Sequence, residues 1–185
     1  VTEEHEIQEH IRRLKDEKRE VRWAAIHALA DLDEPAVVPL IQAMQEEESG
    51  DFRWYAAATL AKIGPAAVGP LLEAMTSCTA PGFRKYAASA LGQIGAPAVG
   101  PLVQALEHAD PDLRGYLALA LCRIGEPAVG PLQKLSEEGT PQMRSCAALT
   151  LWMLGEKGLR AMFDEPGSEA DDQRSGTGAP SPEQH

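Results

Sequence analysis

Arg22, Arg53, Arg84, Arg114 and Arg144 recur at intervals of 31, 31, 30 and 30 residues, each directly after an apolar residue: Val21, Phe52, Phe83, Leu113 and Met143. Five copies in one phase restrict the chain to a tandem-repeat architecture, in which each unit buries its apolar surface against its neighbours rather than in one central core. Prolines keep the same period at Pro39, Pro70, Pro101 and Pro131, as do glycines at Gly64, Gly95, Gly125 and Gly155.

Two helical patterns alternate inside a unit. The first, Pro97 to Leu106, places Val99, Leu102, Val103 and Leu106 at i, i+3, i+4 and i+7, one face of a helix (helix A). The second, Phe83 to Ile94, aligns Phe83, Ala87, Leu91 and Ile94 (helix B), with Ala88 and Ala90 permitting close approach of a neighbour. Gly95 follows as the residue that can stop helix B at positive φ. A proline at Pro101, several residues into helix A, is expected to kink it. Neither helix buries its stripe alone, so successive A–B pairs must stack into an all-α solenoid of about five repeats.

The spacing divides the chain into units at about 3–33, 34–64, 65–95, 96–125 and 126–155, with a stub at 156–163, so that 1–163 is one solenoid. Residues 3–17 read as a polar helix A, keeping Ile7, Ile11 and Leu14 among charged neighbours, as a terminal cap requires. Residues 164–185 contain no Ile, Leu, Val, Met or aromatic side chain and carry a net charge of −5, which predicts a disordered acidic tail.

The units Phe83-Arg-Lys-Tyr-Ala-Ala-Ser-Ala-Leu-Gly-Gln-Ile-Gly95 and Ala98-Val-Gly-Pro-Leu-Val-Gln-Ala-Leu106 resemble HEAT-like repeats of the phycobilisome-lyase type. The resemblance covers about residues 3–163. It implies a right-handed α-solenoid with helices B on the concave side. It also implies a range of roles: scaffold, adaptor, regulatory subunit, bilin lyase, di-iron hydroxylase or DNA glycosylase. The repeated arginine, on the same resemblance, is a structural ladder that hydrogen-bonds acidic and backbone groups between repeats. Glu20, Asp51 and Asp112 stand two residues before Arg22, Arg53 and Arg114; phosphate binding is the competing reading of the column.

At 100° per residue, the third, fourth, seventh and eleventh positions of helix B lie opposite its buried stripe and are expected to be exposed. They carry Trp23, His27, Trp54, Tyr55, Lys62, Lys85, Tyr86, Tyr116, Leu119 and Arg123, followed by Cys146, Leu149 and Met153. All three tyrosines and two of the three tryptophans fall in these columns, although aromatics are only 5% of the chain. Tyr and Trp combine apolar area with a polar handle, and such a strip suits a partner-binding groove. Packing of Tyr55, Tyr86 and Tyr116 between repeats is the alternative. With Lys62, Lys85 and Arg123 against Asp31, the face is mildly basic and suits a protein or peptide segment with some acidic residues.

The chain as a whole is acidic, −11, of which −6 lies on residues 1–163, and this disfavours nucleic acid and anionic membrane as partners. Three cysteines without Cys-x-x-Cys spacing signal neither a disulfide framework nor a zinc site, and fit a reducing cytoplasm. No apolar run approaches the length of a membrane span. The only His-Glu pair, His5-Glu6, sits in the polar cap, so the iron-site reading lacks ligands, and His27 and His108 are isolated. No phosphate-cradling glycine loop or nucleophile–base pair is present. The expectation is therefore a monomeric, non-catalytic scaffold or adaptor without metal or cofactor. A bilin lyase, with a tetrapyrrole in the aromatic groove and Cys146 on that face, is the alternative.

Overall fold

The computed structural model describes residues 3–156, among which ten α-helices are joined by short turns. Helices A are α1 (Glu3–Arg13), α3 (Glu34–Glu46), α5 (Val68–Ser77), α7 (Val99–His108) and α9 (Val129–Glu138). Helices B are α2 (Arg19–Leu32), α4 (Gly50–Ile63), α6 (Pro81–Ile94), α8 (Pro111–Ile124) and α10 (Pro141–Met153). Each B helix packs on the next B helix and each A helix on the next A helix, which makes a two-layer all-α solenoid. The expected stub beyond Glu156 and the acidic tail lie outside the described residues.

The stripes read from the sequence form the interior. Phe83, Ala87, Leu91, Val99, Leu102 and Leu106 are buried, and so are their counterparts along the stack, such as Phe52, Ala56, Leu60 and Leu71. A second column of small residues, with Thr59, Ala90, Ala120 and Thr150 all buried, lets adjacent B helices approach closely. The two threonines remain satisfied because each hydroxyl donates to the carbonyl one turn back: Thr59 to Tyr55 at 2.8 Å and Thr150 to Cys146 at 2.7 Å.

The join between helix B and the next helix A corrects one expectation. Gly64, Gly95 and Gly125 adopt φ of +89°, +83° and +81° with ψ near −135°, a region open essentially only to glycine. A 3₁₀ turn follows (Pro65–Ala67, Ala96–Ala98, Glu126–Ala128), and only then does the α-helix begin. Pro101 is thus the third residue of α7, where its missing N–H is one of those left unpaired in any first turn, and no kink is needed. In the first join Asp33 takes the glycine's place at φ +59°, ψ −133°, and Pro39 lies inside an uninterrupted α3.

Three B helices begin with a side-chain cap: Ser49, Asp110 and Thr140 accept hydrogen bonds from the backbone N–H of Phe52, Leu113 and Met143. At α6 the equivalent residue is Ala80, and no such bond forms.

Candidate functional site

The arginine column works at the seam between each helix A and the following helix B. Arg53 Nε donates to Met44 O at 3.0 Å, Arg84 Nε to Met75 O and Cys78 O at 3.0 Å each, and Arg114 Nε to Leu106 O at 3.4 Å. These carbonyls end helix A and have no helical donor, so a cation there meets both their hydrogen-bond demand and the negative end of the dipole. Arg22 uses Nη1 instead, donating to Asp16 O and Glu17 O, and its guanidinium lies 4.9 Å from the centre of the Tyr55 ring. Arg144 is exposed and makes no such bond to a described residue.

Arg84 is the extreme case, 1% exposed. It reaches forward one repeat, pairing Nη1 with Asp112 at 2.8 Å and Nη2 with Asp110 at 3.2 Å. Burial alone would lower its pKa; the hydrogen bonds to Asp110 and Asp112 outweigh that and leave it raised. The backbone N–H of Leu113, then Arg84, hold the Asp110 carboxyl below the usual range. The carboxylate partners thus come from the next repeat, while the carbonyl partners lie within the arginine's own repeat. With its donors committed in this way, Arg84 has no free fork for a phosphate.

The outward columns of the B helices form the second feature. The third and eleventh positions are exposed in every repeat, including Trp23, Trp54, Lys62, Lys85 and Arg123. The fourth position differs from expectation. Tyr55, Tyr86 and Tyr116 are half-buried and pack against the core, because this column faces the flank of the preceding repeat. The Tyr86 hydroxyl, for instance, closes on Gly50 at the start of α4, where an added Cβ would lie only 3.0 Å from it.

Helices α4, α6 and α8 enclose a cavity of about 470 Å³ on this face, lined by Trp54, Lys85, Tyr86, Ala88, Ser89, Tyr116, Leu119 and Arg123. Six of the ten residues expected to bind a partner are therefore brought together. Trp54 (54% exposed) and Leu119 (51%) present apolar surface, and the small Ala88 and Ser89 leave the space between them open. The lining contains two cations and no carboxylate. Lys85 Nζ sits 5.6 Å from the Tyr86 ring centre. The stem of Arg123 lies on Gly92 of α6, where any Cβ would fall within 2.6–2.9 Å of it, so only glycine admits this placement.

Trp23, His27, Tyr55 and Lys62 stand apart from that cavity. Trp23 and His27 meet edge to face with centroids 5.3 Å apart, and Lys62 Nζ contacts both ring nitrogens of His27, 3.3 Å from Nε2. Tyr55 touches Trp54 edge to face at 5.0 Å but turns toward Arg22, in a separate cleft with Lys15, Glu47 and Asp51. Trp152, 62% exposed, lies outside the columns that helix periodicity marks as outward-facing. It occupies the position that Gly92 and Cys122 hold in earlier repeats, one that normally faces the next B helix.

Among the described residues no three His, Cys, Asp or Glu side chains gather as a metal-holding group. Burial pushes the Cys122 thiol up, away from the thiolate form a nucleophile needs. Cys146 is half-buried on α10, outside the cavity lining. No described helix is long and apolar enough to cross a membrane.

The family described as HEAT repeats matches residues 37–102, so HEAT-like repeats are present over that part of the chain. Among solved structures it is similar to a chain in the complex of CpcE and CpcF of phycocyanin lyase from Nostoc sp. PCC7120, at 22% identity over 80% of this chain and 99% of that one, with a TM-score of 0.42. It is also similar to an engineered protein, at 20% identity over 85% and 83% of the two chains, with a TM-score of 0.35. A third similarity is to computationally designed armadillo repeat proteins for modular peptide recognition, at 17% identity over 80% and 81%, with a TM-score of 0.33. No curated protein matches the chain.

Proposed function

We propose that this HEAT-like repeat protein is a non-catalytic scaffold or adaptor that binds another protein through the cavity between α4, α6 and α8. One observation carries the reading: Trp54 and Leu119 keep about half their surface exposed around an open cavity whose other walls, Tyr86 and Tyr116, are already fixed by packing. Exposed aromatic anchors beside rigid walls are what an interface hot spot requires, since docking then orders little that was mobile. The solenoid acts as a preformed support and the partner supplies the segment that fills the cavity.

The test is Trp54→Ala combined with Tyr86→Ala. The pair should abolish capture of the partner from an extract of the native host while leaving helicity nearly unchanged. Global loss of helicity would show that these side chains hold the stack together instead. The lyase alternative has no comparable observation in its favour, because Cys146 lies outside the cavity.

A further inference from the structure

The cavity has a direction and two charged ends, and these narrow the kind of segment it takes. Lys85 stands at the start of α6 and Arg123 reaches over from α8 to rest on Gly92, seven residues further along the same helix. At a rise of about 1.5 Å per residue the two cations are anchored about 11 Å apart along α6. Neither forms an ion pair with a described residue, and none of the lining residues is acidic. Between them the wall is apolar and aromatic, with Trp54 on one side, Tyr116 and Leu119 on the other, and the small Ala88 and Ser89 beneath.

The cavity, about 470 Å³ and open on its outer side, admits side chains of a partner, and a strand laid along α6 sends alternate side chains into it. In an extended segment, residues on one face recur about every 7 Å, so i and i+4 lie about 13 Å apart with i+2 on the same side. The reach of a lysine and an arginine absorbs the remaining ~2 Å difference.

We infer that the partner segment is an extended acidic peptide with carboxylates at i and i+4 and a large apolar residue at i+2, the carboxylates meeting Lys85 and Arg123 and the apolar side chain entering between Trp54 and Leu119. This rests on the proposed function above, since it assigns an occupant to the same cavity. Pairing of two exposed cations contributes modestly, so the apolar residue supplies most of the affinity and the charges set register and direction.

The test uses the full chain and a fluorescein-labelled nonapeptide, Gly-Ser-Glu-Thr-Phe-Thr-Glu-Ser-Gly, followed by fluorescence anisotropy. Its isomer Gly-Glu-Glu-Thr-Phe-Thr-Ser-Ser-Gly keeps composition and charge but moves both carboxylates to one side. The first peptide should bind saturably, at least about fivefold tighter than the isomer. Lys85→Glu with Arg123→Glu should weaken it about tenfold or more, and the advantage over the isomer should shrink as salt rises. Equal affinity for the two peptides, or indifference to the double charge reversal, overturns the inference. If neither peptide binds while Trp54→Ala with Tyr86→Ala still loses the native partner, the acidic-peptide assignment falls and the scaffold reading stands. A concentration-dependent dimer that the charge reversal dissociates would give the cavity to a second copy of the chain and equally overturn the assignment.

Discussion

Replacing Arg84 by methionine should be among the most destabilising single changes in the stack. Methionine fills much of the same volume, so the loss is chiefly of hydrogen bonds. Arg84 is 1% exposed, and its single Nε–H is shared between Met75 O and Cys78 O, both at 3.0 Å. A hydrogen bond from a charged donor is worth about 1.5–3 kcal/mol, and the two carbonyls that share this one lose most of that together. The ion pairs add less, because the side chains of Asp110 and Asp112 are 50% and 61% exposed and recover water once the guanidinium is gone. A total near 2–4 kcal/mol follows, or roughly 4–16 °C in Tm at 2–4 °C per kcal/mol for a chain of this size. Urea unfolding followed by far-ultraviolet circular dichroism measures it. Because α6 sits mid-stack, the transition should also broaden or split as the two halves uncouple. Arg144→Met is the control: the same column, exposed, and expected to change stability by no more than about 0.5 kcal/mol. If Arg84→Met costs less than about 1 kcal/mol, or no more than Arg144→Met, the arginine column is not what closes the A–B seam.

Three further outcomes are expected. Asp33→Gly should stabilise by about 1 kcal/mol, read as a rise in Tm, since Asp33 holds the φ +59° conformation that glycine occupies in the later repeats; a fall in Tm would mean its side chain supports the join. Ala80→Asp should supply the cap that α6 lacks, worth about 1 kcal/mol, beside an Arg53 guanidinium that already lies against Gly82. Asp110, whose folded pKa is depressed, contributes stability that is present above the unfolded carboxyl value near 3.9 and is lost as pH falls through the lower folded value. Asp110→Asn should therefore be less stable than the parent at neutral pH, and the gap in urea midpoint should close on acidification below about pH 4; a gap constant with pH would show that the charge is irrelevant.

The architecture is legible in the sequence because its signal is repeated. The register of Arg22, Arg53, Arg84, Arg114 and Arg144 fixes where each B helix starts, and the 3.6-residue pattern of residues such as Val99, Leu102 and Leu106 fixes what is buried. What escapes is whatever depends on the neighbouring repeat. Angle alone puts Tyr86 opposite the core, yet the flank of α4 lies close enough to half-bury it. The pairing of Arg84 with Asp110 and Asp112 instead of a carboxylate in its own repeat follows from stacking, which a single unit cannot show. Pro101 misleads for a local reason: the 3₁₀ turn at Ala96–Ala98 shifts the start of α7 and moves the proline into the first turn. Trp152 escapes because the same column, held by Ala30, Ala61, Gly92 and Cys122, is buried or partly buried in the earlier repeats.

The most direct test of the central claim is photocrosslinking in an extract of the native host, with a benzophenone amino acid placed at Leu119 in the cavity or at Val38, which is equally exposed on helix A of the second repeat. A discrete adduct at Leu119, absent at Val38 and lost when Trp54→Ala and Tyr86→Ala are added, is the predicted result. An adduct formed equally from Val38, or one that survives loss of both aromatics, would contradict the assignment of the helix-B cavity as the binding site.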